Sequence, residues 1–145
     1  MNEEVNQDIG TSRGGKTTKI HALVDALGNP LKLMFTGGNV HDSKIAIPLL
    51  SHVDISSSII QGDKAFNSKE IRSYITSQGA TYAIPPREND PNPWECDWWQ
   101  YKERHLVECF FNKLKNFRRI ATRYDKLTSR FRSFVYLACV MILLK

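Results

Sequence analysis

Residues Tyr101 to Lys115, YKERHLVECFFNKLK, constrain this chain more than any other stretch. At about 100° per residue on an α-helix, Tyr101, Arg104, Glu108 and Lys115 project at about 0°, 300°, 340° and 320°, a polar stripe about 60° wide. Leu106, Val107, Phe110, Phe111, Leu114 and Phe117 spread over about 140° to 280°, the broad apolar face of a helix that must be buried on a core. The core side and the polar side are therefore separate. The same spacing also suits an ordinary amphipathic helix with an Arg104–Glu108 pair at i,i+4, worth about 0.2–0.5 kcal/mol.

A chain of 145 residues accommodates one domain with a real core. Its net charge of +5 is unevenly spread. Lys102 to Arg132 holds ten of the 20 Lys and Arg but only three of the 15 acidic residues, leaving ten basic against twelve acidic elsewhere. A basic C-terminal part is what a polyanion-binding surface needs, and it is also what a solvated helix face looks like. Cys96, Cys109 and Cys139 are odd in number and lack C-x-x-C spacing, so they read as reduced thiols of a cytoplasmic protein rather than a zinc site or disulfide framework. MNEEVNQDIG is acidic and polar, unlike a signal peptide. The apolar run Phe131 to Leu144 contains Arg132 and is short for a bilayer span, so no membrane is expected.

Taken in order, Met1 to Lys16 shows no apolar periodicity and reads as a disordered or loop-like entry, with residues 17–145 forming the domain. Gly10 to Thr17 satisfies G-x-x-x-x-G-K-[ST], the phosphate-cradling loop in which Lys16 and Thr17 would hold a nucleotide. That mechanism needs a buried strand before the loop, and Glu3, Glu4, Asn6, Gln7 and Asp8 do not supply one. Ile20, Leu23, Val24 and Leu27 have helical spacing, yet Thr17 to Val24 also suits a strand. With the turn Gly28-Asn29-Pro30 and the apolar run Leu31 to Thr36, a β-hairpin is the simplest reading. Asp42 or Ser43 is positioned to cap a helix over Ala46 to Leu50, with His41 and Asp42 as weaker metal-ligand candidates. Ser57 to Gln61 reads as a strand that ends just before Asp63, where a strand-end carboxylate can serve a ligand site or simply a turn. A helix capped by Asn67 or Ser68 runs from Lys69 to about Gln78, and Thr81 to Ile84 forms a strand stopped by Pro85-Pro86. Glu88 to Gln100 is a loop whose Trp94, Trp98 and Trp99 either pack at the helix start or stack on bases. A last helix from Arg130 to Leu144 should dock on the sheet. These alternations predict an α/β domain.

The spacing Y-x2-R-x3-E-x6-K, filled by Tyr101, Arg104, Glu108 and Lys115, resembles the signature of bacterial insertion-sequence transposases of the DDE type, in the IS four and IS five group. Gly62-Asp63-Lys64-Ala65-Phe66-Asn67-Ser68 is similar to that family's A-D-K-G-Y-D-S-like strand end. Further likeness lies in Ser12 to His21, Val24 to Pro30, Gly38 to Ser43, Ile84 to Arg87 and Phe117 to Lys126, so it runs from about Ser12 to the C-terminus.

The resemblance implies a ribonuclease-H-like fold, a mixed sheet flanked by helices, in which three carboxylates hold two divalent ions, Mg²⁺ or Mn²⁺, for phosphoryl transfer. It implies that Asp63 and Glu108 are catalytic metal ligands and that Tyr101, Arg104, Lys115, Arg118 and Arg119 contact DNA, both transposon ends and target. The family's first carboxylate lies on a central strand upstream of the entry at Ser12, between the hairpin and the strand carrying Asp63. Met1 to Thr11 offers no such strand, and Asp8 lies too close to the entry to be that residue. The chain is thus expected to be the C-terminal part of a transposase, inactive alone, from a second reading frame or a decayed copy. Its partners would be an upstream-frame transposase segment and, when complete, further copies of itself. The alternative class is a nucleic-acid-binding module without catalysis.

Overall fold

The computed structural model describes residues 7–145, so the first part of the expected entry, residues 1–6, lies outside the described residues. Strands β2 (Gly15–Val24) and β3 (Pro30–Gly37) form the expected antiparallel hairpin, with Ile20 opposite Phe35 and Ala22 opposite Leu33. Its turn is held by Asp25, whose Oδ1 accepts the N–H groups of Leu27 at 2.8 Å and Asn29 at 2.9 Å. The helical alternative fails because Ile20, Ala22 and Val24 need a single face, with period two, to reach the core beside Leu33 and Phe35.

The entry departs from its expectation. Gly10–Ser12 is a strand, β1, antiparallel to the start of β2, with Gly10 opposite Thr17 and Ser12 opposite Gly15. Ladder bonds come from the backbone, so a polar segment without periodicity can still extend a strand edge. Gly10 leaves room there for the Asn39 side chain, which a Cβ would displace. The phosphate-loop reading is also corrected: Lys16 and Thr17 lie inside extended β2, with no helix after them whose N-terminus could face a phosphate.

The second unit alternates α1 (Ser43–Leu50), β4 (Ile59–Gln61), α2 (Lys69–Ser77) and β5 (Thr81–Ala83), with β4 and β5 parallel and Ile60 opposite Tyr82. Ser68 Oγ caps α2 by accepting from the Ile71 N–H at 3.2 Å. Gly79, at φ 74°, closes α2: its N–H meets the Thr76 carbonyl while that of Ala80 meets Ile75. Asp42 takes the N-cap position of α1 but makes no side-chain cap bond, because its backbone is already helical (φ −60°, ψ −34°). Its carboxylate instead accepts from Lys19 Nζ at 3.1 Å and lies 3.7 Å from His21 Nδ1.

The helix expected around the four-residue signature is broken. Helix α3 (Trp98–Lys102) gives way at Glu103 and Arg104 to α4 (His105–Lys115), followed by α5 (Arg118–Ala121) and α6 (Thr128–Leu143). Across the break, Arg104 N–H bonds Tyr101 and Leu106 N–H bonds Glu103, an i to i−3 pattern. Arg123 then ties the C-terminal part to the entry. It donates to the Asp125 carbonyl at 2.8 Å, the Gln7 carbonyl at 2.9 Å and the Thr18 hydroxyl, while Arg132 pairs with buried Asp8.

The result is a mixed α/β arrangement of two sheets flanked by helices, with two separate cores. Leu33 and Phe35 of β3 pack with Phe110 and Leu114 of α4 and Phe131 and Val135 of α6. Leu50, Ile55, Ile71, Ile75 and Ile84 form the other core, between α1, α2 and the β4–β5 pair. Among the described residues no helix is long and apolar enough to cross a membrane.

Phe110 is 1% exposed at the centre of the first core. Phe110→Ala is expected to cost about 3–5 kcal/mol, read as a lowered urea midpoint. His21 gives a second test. It bonds Thr36 Oγ1 at 2.7 Å, and burial lowers its pKa below the ordinary 6.5, overriding the opposite pull of Asp42, with Lys19 adding to the decrease. A depressed imidazole pKa gives stability that is present above pH 6.5 and lost as pH falls towards the lowered value, since the folded state resists protonation. Thermal melts should therefore weaken on acidification below that pH, and His21→Asn should flatten the slope.

Candidate functional site

A cleft of about 520 Å³ opens between the two sheets. One wall is β2 from Ile20 to Val24 and the opposite wall is β4 with Gly62 and Asp63. Helix α1 closes it on one side and Leu106, Val107, Glu108 and Phe111 of α4 on the other. Both strands turn an unpaired edge to this space. On its outer edge β2 is paired with β1 only as far as Thr17, and β4 pairs with β5 alone. The lining is mainly apolar, and its polar groups are His21, Asp25, Asp42, Gln61, Asp63, Gln100, Glu103, Arg104 and Glu108.

Asp63 is delivered by the sequence step from β4 through Gly62. A Cβ on Gly62 would press on Phe66, 3.2 Å away, so the strand can turn closely there. Asp63 is half-buried and its Oδ1 accepts from the Ala65 N–H at 2.8 Å, capping a short 3-10 turn at Lys64–Phe66. Its strand-end and turn roles therefore coexist.

Glu108 arrives from the α4 side of the cleft, in the first turn of that helix. Arg104 Nη2 lies 2.9 Å from Glu108 Oε1, and its guanidinium sits 5.4 Å from the centre of the Tyr101 ring. The ring contact follows from the helix break, since i and i+3 side chains eclipse in a 3-10 turn. Tyr101 in turn meets Trp98 edge-on, with ring centres 5.6 Å apart. The Glu108 side chain is 56% exposed, so this ion pair adds little stability.

The structure thus brings Asp63, Arg104 and Glu108 to one cleft. Tyr101 touches it only through Arg104, and Lys115, Arg118 and Arg119 are exposed outside its lining. Among the described residues no three His, Cys, Asp or Glu side chains cluster as a metal site. Sequence reasoning named Asp42 but missed its partners Lys19 and His21; His21 and Asp42 line the cleft. The available signal was two polar residues, Lys19 and His21, alternating with the apolar Ile20, Ala22 and Val24 on one strand.

Residues 5–143 match the family model described as a transposase DDE domain. A transposase described for insertion sequence element IS6501 of Brucella ovis is 45% identical over 133 residues, covering 89% of this chain and 99% of that protein. Another, for insertion sequence element IS402 of Burkholderia cepacia, is 25% identical over 142 residues, or 91% of this chain and 65% of that protein. No solved structure matches. On a match that spans nearly its whole length, the chain belongs to the DDE transposase domain family, whose members act in DNA transposition and generally use divalent metal ions.

Proposed function

We propose that this chain is the C-terminal part of a ribonuclease-H-like catalytic domain of the IS four and IS five group, its core over residues 17–145 joined by the edge strand β1. A strand from an upstream transposase segment would complete its sheet. The observation that carries the reading is the cleft: two strand edges facing one apolar space, with Asp63 after β4 and Glu108 on α4 both in its lining. A strand inserted there would pair with both β2 and β4, join the two cores, and bring the first carboxylate of the set.

Asp63 and Glu108 are oxygen donors of the class that hard divalent ions take, and they fit such ions in kind while supplying only part of a ligand set. Asp63 and Glu108 would hold part of the coordination of magnesium or manganese ions, two in the complete enzyme, whose Lewis acidity would serve activation of a water or 3′-hydroxyl and stabilisation of a leaving oxygen. The chain's own residues prepare for this. Asp63 is oriented by the Ala65 N–H, and Arg104 holds Glu108 at the cleft until a DNA phosphate competes for the guanidinium. Tyr101 orients Arg104 by stacking, and exposed Lys115, Arg118 and Arg119 bind the backbone of the transposon ends or target in the cytoplasm.

The decisive assay is Mg²⁺- or Mn²⁺-dependent nicking of DNA bearing the element's ends, by the chain alone and fused to its upstream segment. The chain alone should be inactive and the fusion active, with Asp63→Asn or Glu108→Gln returning it to background. Activity of the isolated chain that these changes abolish would mean that no upstream strand is needed. An inactive fusion that still binds DNA would favour the non-catalytic binding module. Each of Arg104→Ala and Lys115→Ala should weaken binding of the ends in the fusion and reduce the slope of log K against log salt by about one unit, because each removes one phosphate contact.

A further inference from the structure

We infer that Arg72 and Trp94 form a clasp that sets the separation of Asp63 and Glu108, as positioning residues for the reaction proposed above, on which the inference rests. The two carboxylates stand on different cores. Asp63 follows β4, whose Ile60 packs on one core, whereas α4, which carries Glu108, is buried through Phe110 and Leu114 in the other. The chain passes from β5 to α3 and α4 through residues 84–97, which contain no helix or strand. A connection of that kind keeps a fixed path only where its own side chains pin it. Trp94 does so here. Its Nε1–H donates to the Ile84 carbonyl at 2.8 Å, drawing the end of the loop back to its start, and its ring meets Tyr82 of β5 edge-on, with centres 6.3 Å apart. Of the roles open to Trp94 in the sequence, packing before the helix is the one the structure gives it.

Arg72, on α2, closes the clasp from the other side. Its guanidinium lies 3.7 Å from the centre of the Trp94 indole and 5.9 Å from that of the Tyr82 ring. A planar guanidinium stacks on an aromatic face in a way that an ammonium does not reproduce. Arg72 Nε also donates to the Asn67 carbonyl at 3.3 Å, and buried Asn67 ends the 3-10 turn that Asp63 opens. One side chain thereby joins the turn that presents Asp63 to the loop that leads to Glu108. Three residues after Trp94, Asp97 caps α3 by accepting from the N–H groups of Trp99 and Gln100, and α3 lies beside β4 and β5. From α3 the contacts run on through the Tyr101 ring to the Arg104 guanidinium and from there to the Glu108 carboxylate.

Spin labels on exposed Cys109, beside Glu108, and on Lys69→Cys, at the start of α2, read the separation in the full chain by double electron–electron resonance, since Cys96 and Cys139 are buried. Arg72→Lys keeps the charge and loses the stack; Trp94→Phe keeps a ring and loses the Nε1–H. Each should broaden the distance distribution with unchanged circular dichroism. In the fusion with the upstream segment, each should lower kcat for metal-dependent nicking by about 10–100-fold, with KM for the DNA ends unchanged, because small displacements of reacting groups act on the chemical step. A distribution that neither substitution changes overturns the inference, as does a changed distribution with unimpaired nicking or a loss that comes through KM alone. A fusion with Arg72 and Trp94 intact that does not nick defeats the reading of the site, and the distance distribution then still decides whether the clasp sets the separation. If Arg72→Lys fails to fold, Trp94→Phe decides.

Discussion

Backbone hydrogen bonding along β2 is the constraint on which the rest of this structure depends. A strand of ten residues presents donors and acceptors on two edges, and β3 satisfies only one of them along its length. The other edge is covered by β1 as far as Thr17 and then opens on the cleft. β4 has the same problem in shorter form. Because the two edges are not joined, the molecule carries two cores where one continuous sheet would unite them. The helices between the sheets bridge the gap with side chains, but side chains cannot replace a ladder.

The polar contacts distribute around this constraint. At the entry, Arg123 and Arg132 bind the Gln7 carbonyl, Thr18 and Asp8, fastening the N-terminal approach to α6 and holding the first hairpin against its core. On the far side Lys19, His21 and Asp42 fasten β2 to the start of α1. Between these two anchors, beside the other acids Asp25, Asp42 and Glu103, the cleft is lined by the carboxylates of Asp63 and Glu108. Each is held by a bond available without a ligand: a backbone N–H for Asp63, a guanidinium for Glu108. Both bonds orient a carboxylate while leaving it an oxygen for another partner.

Local chemistry made much of this legible before any coordinates. The strand-prone run from Thr17 to Val24, the Gly28-Asn29-Pro30 turn, a cap at Asn67 or Ser68 and Gly79 specify the hairpin and α2, because each depends on neighbours in the chain. The position of Asp63 just beyond a strand and the polar stripe holding Arg104 and Glu108 were readable for the same reason. Two local readings failed where a distant partner competed: the Asp42 carboxylate turned from capping to Lys19 and His21, and Gly10 to Ser12 joined the edge of β2; the helix around Arg104 also broke into two, through i to i−3 bonds within its own turn.

What the sequence by itself determined, then, is the set of elements and the residues that carry chemistry, since periodicity, caps and turn residues act over a few positions. Only the tertiary structure decided that Asp63 and Glu108 share a cleft while Lys115, Arg118 and Arg119 lie outside it, and that the sheet is split. Which strand edge meets which is a matter of backbone groups far apart in sequence, and those groups are the same in every residue except proline.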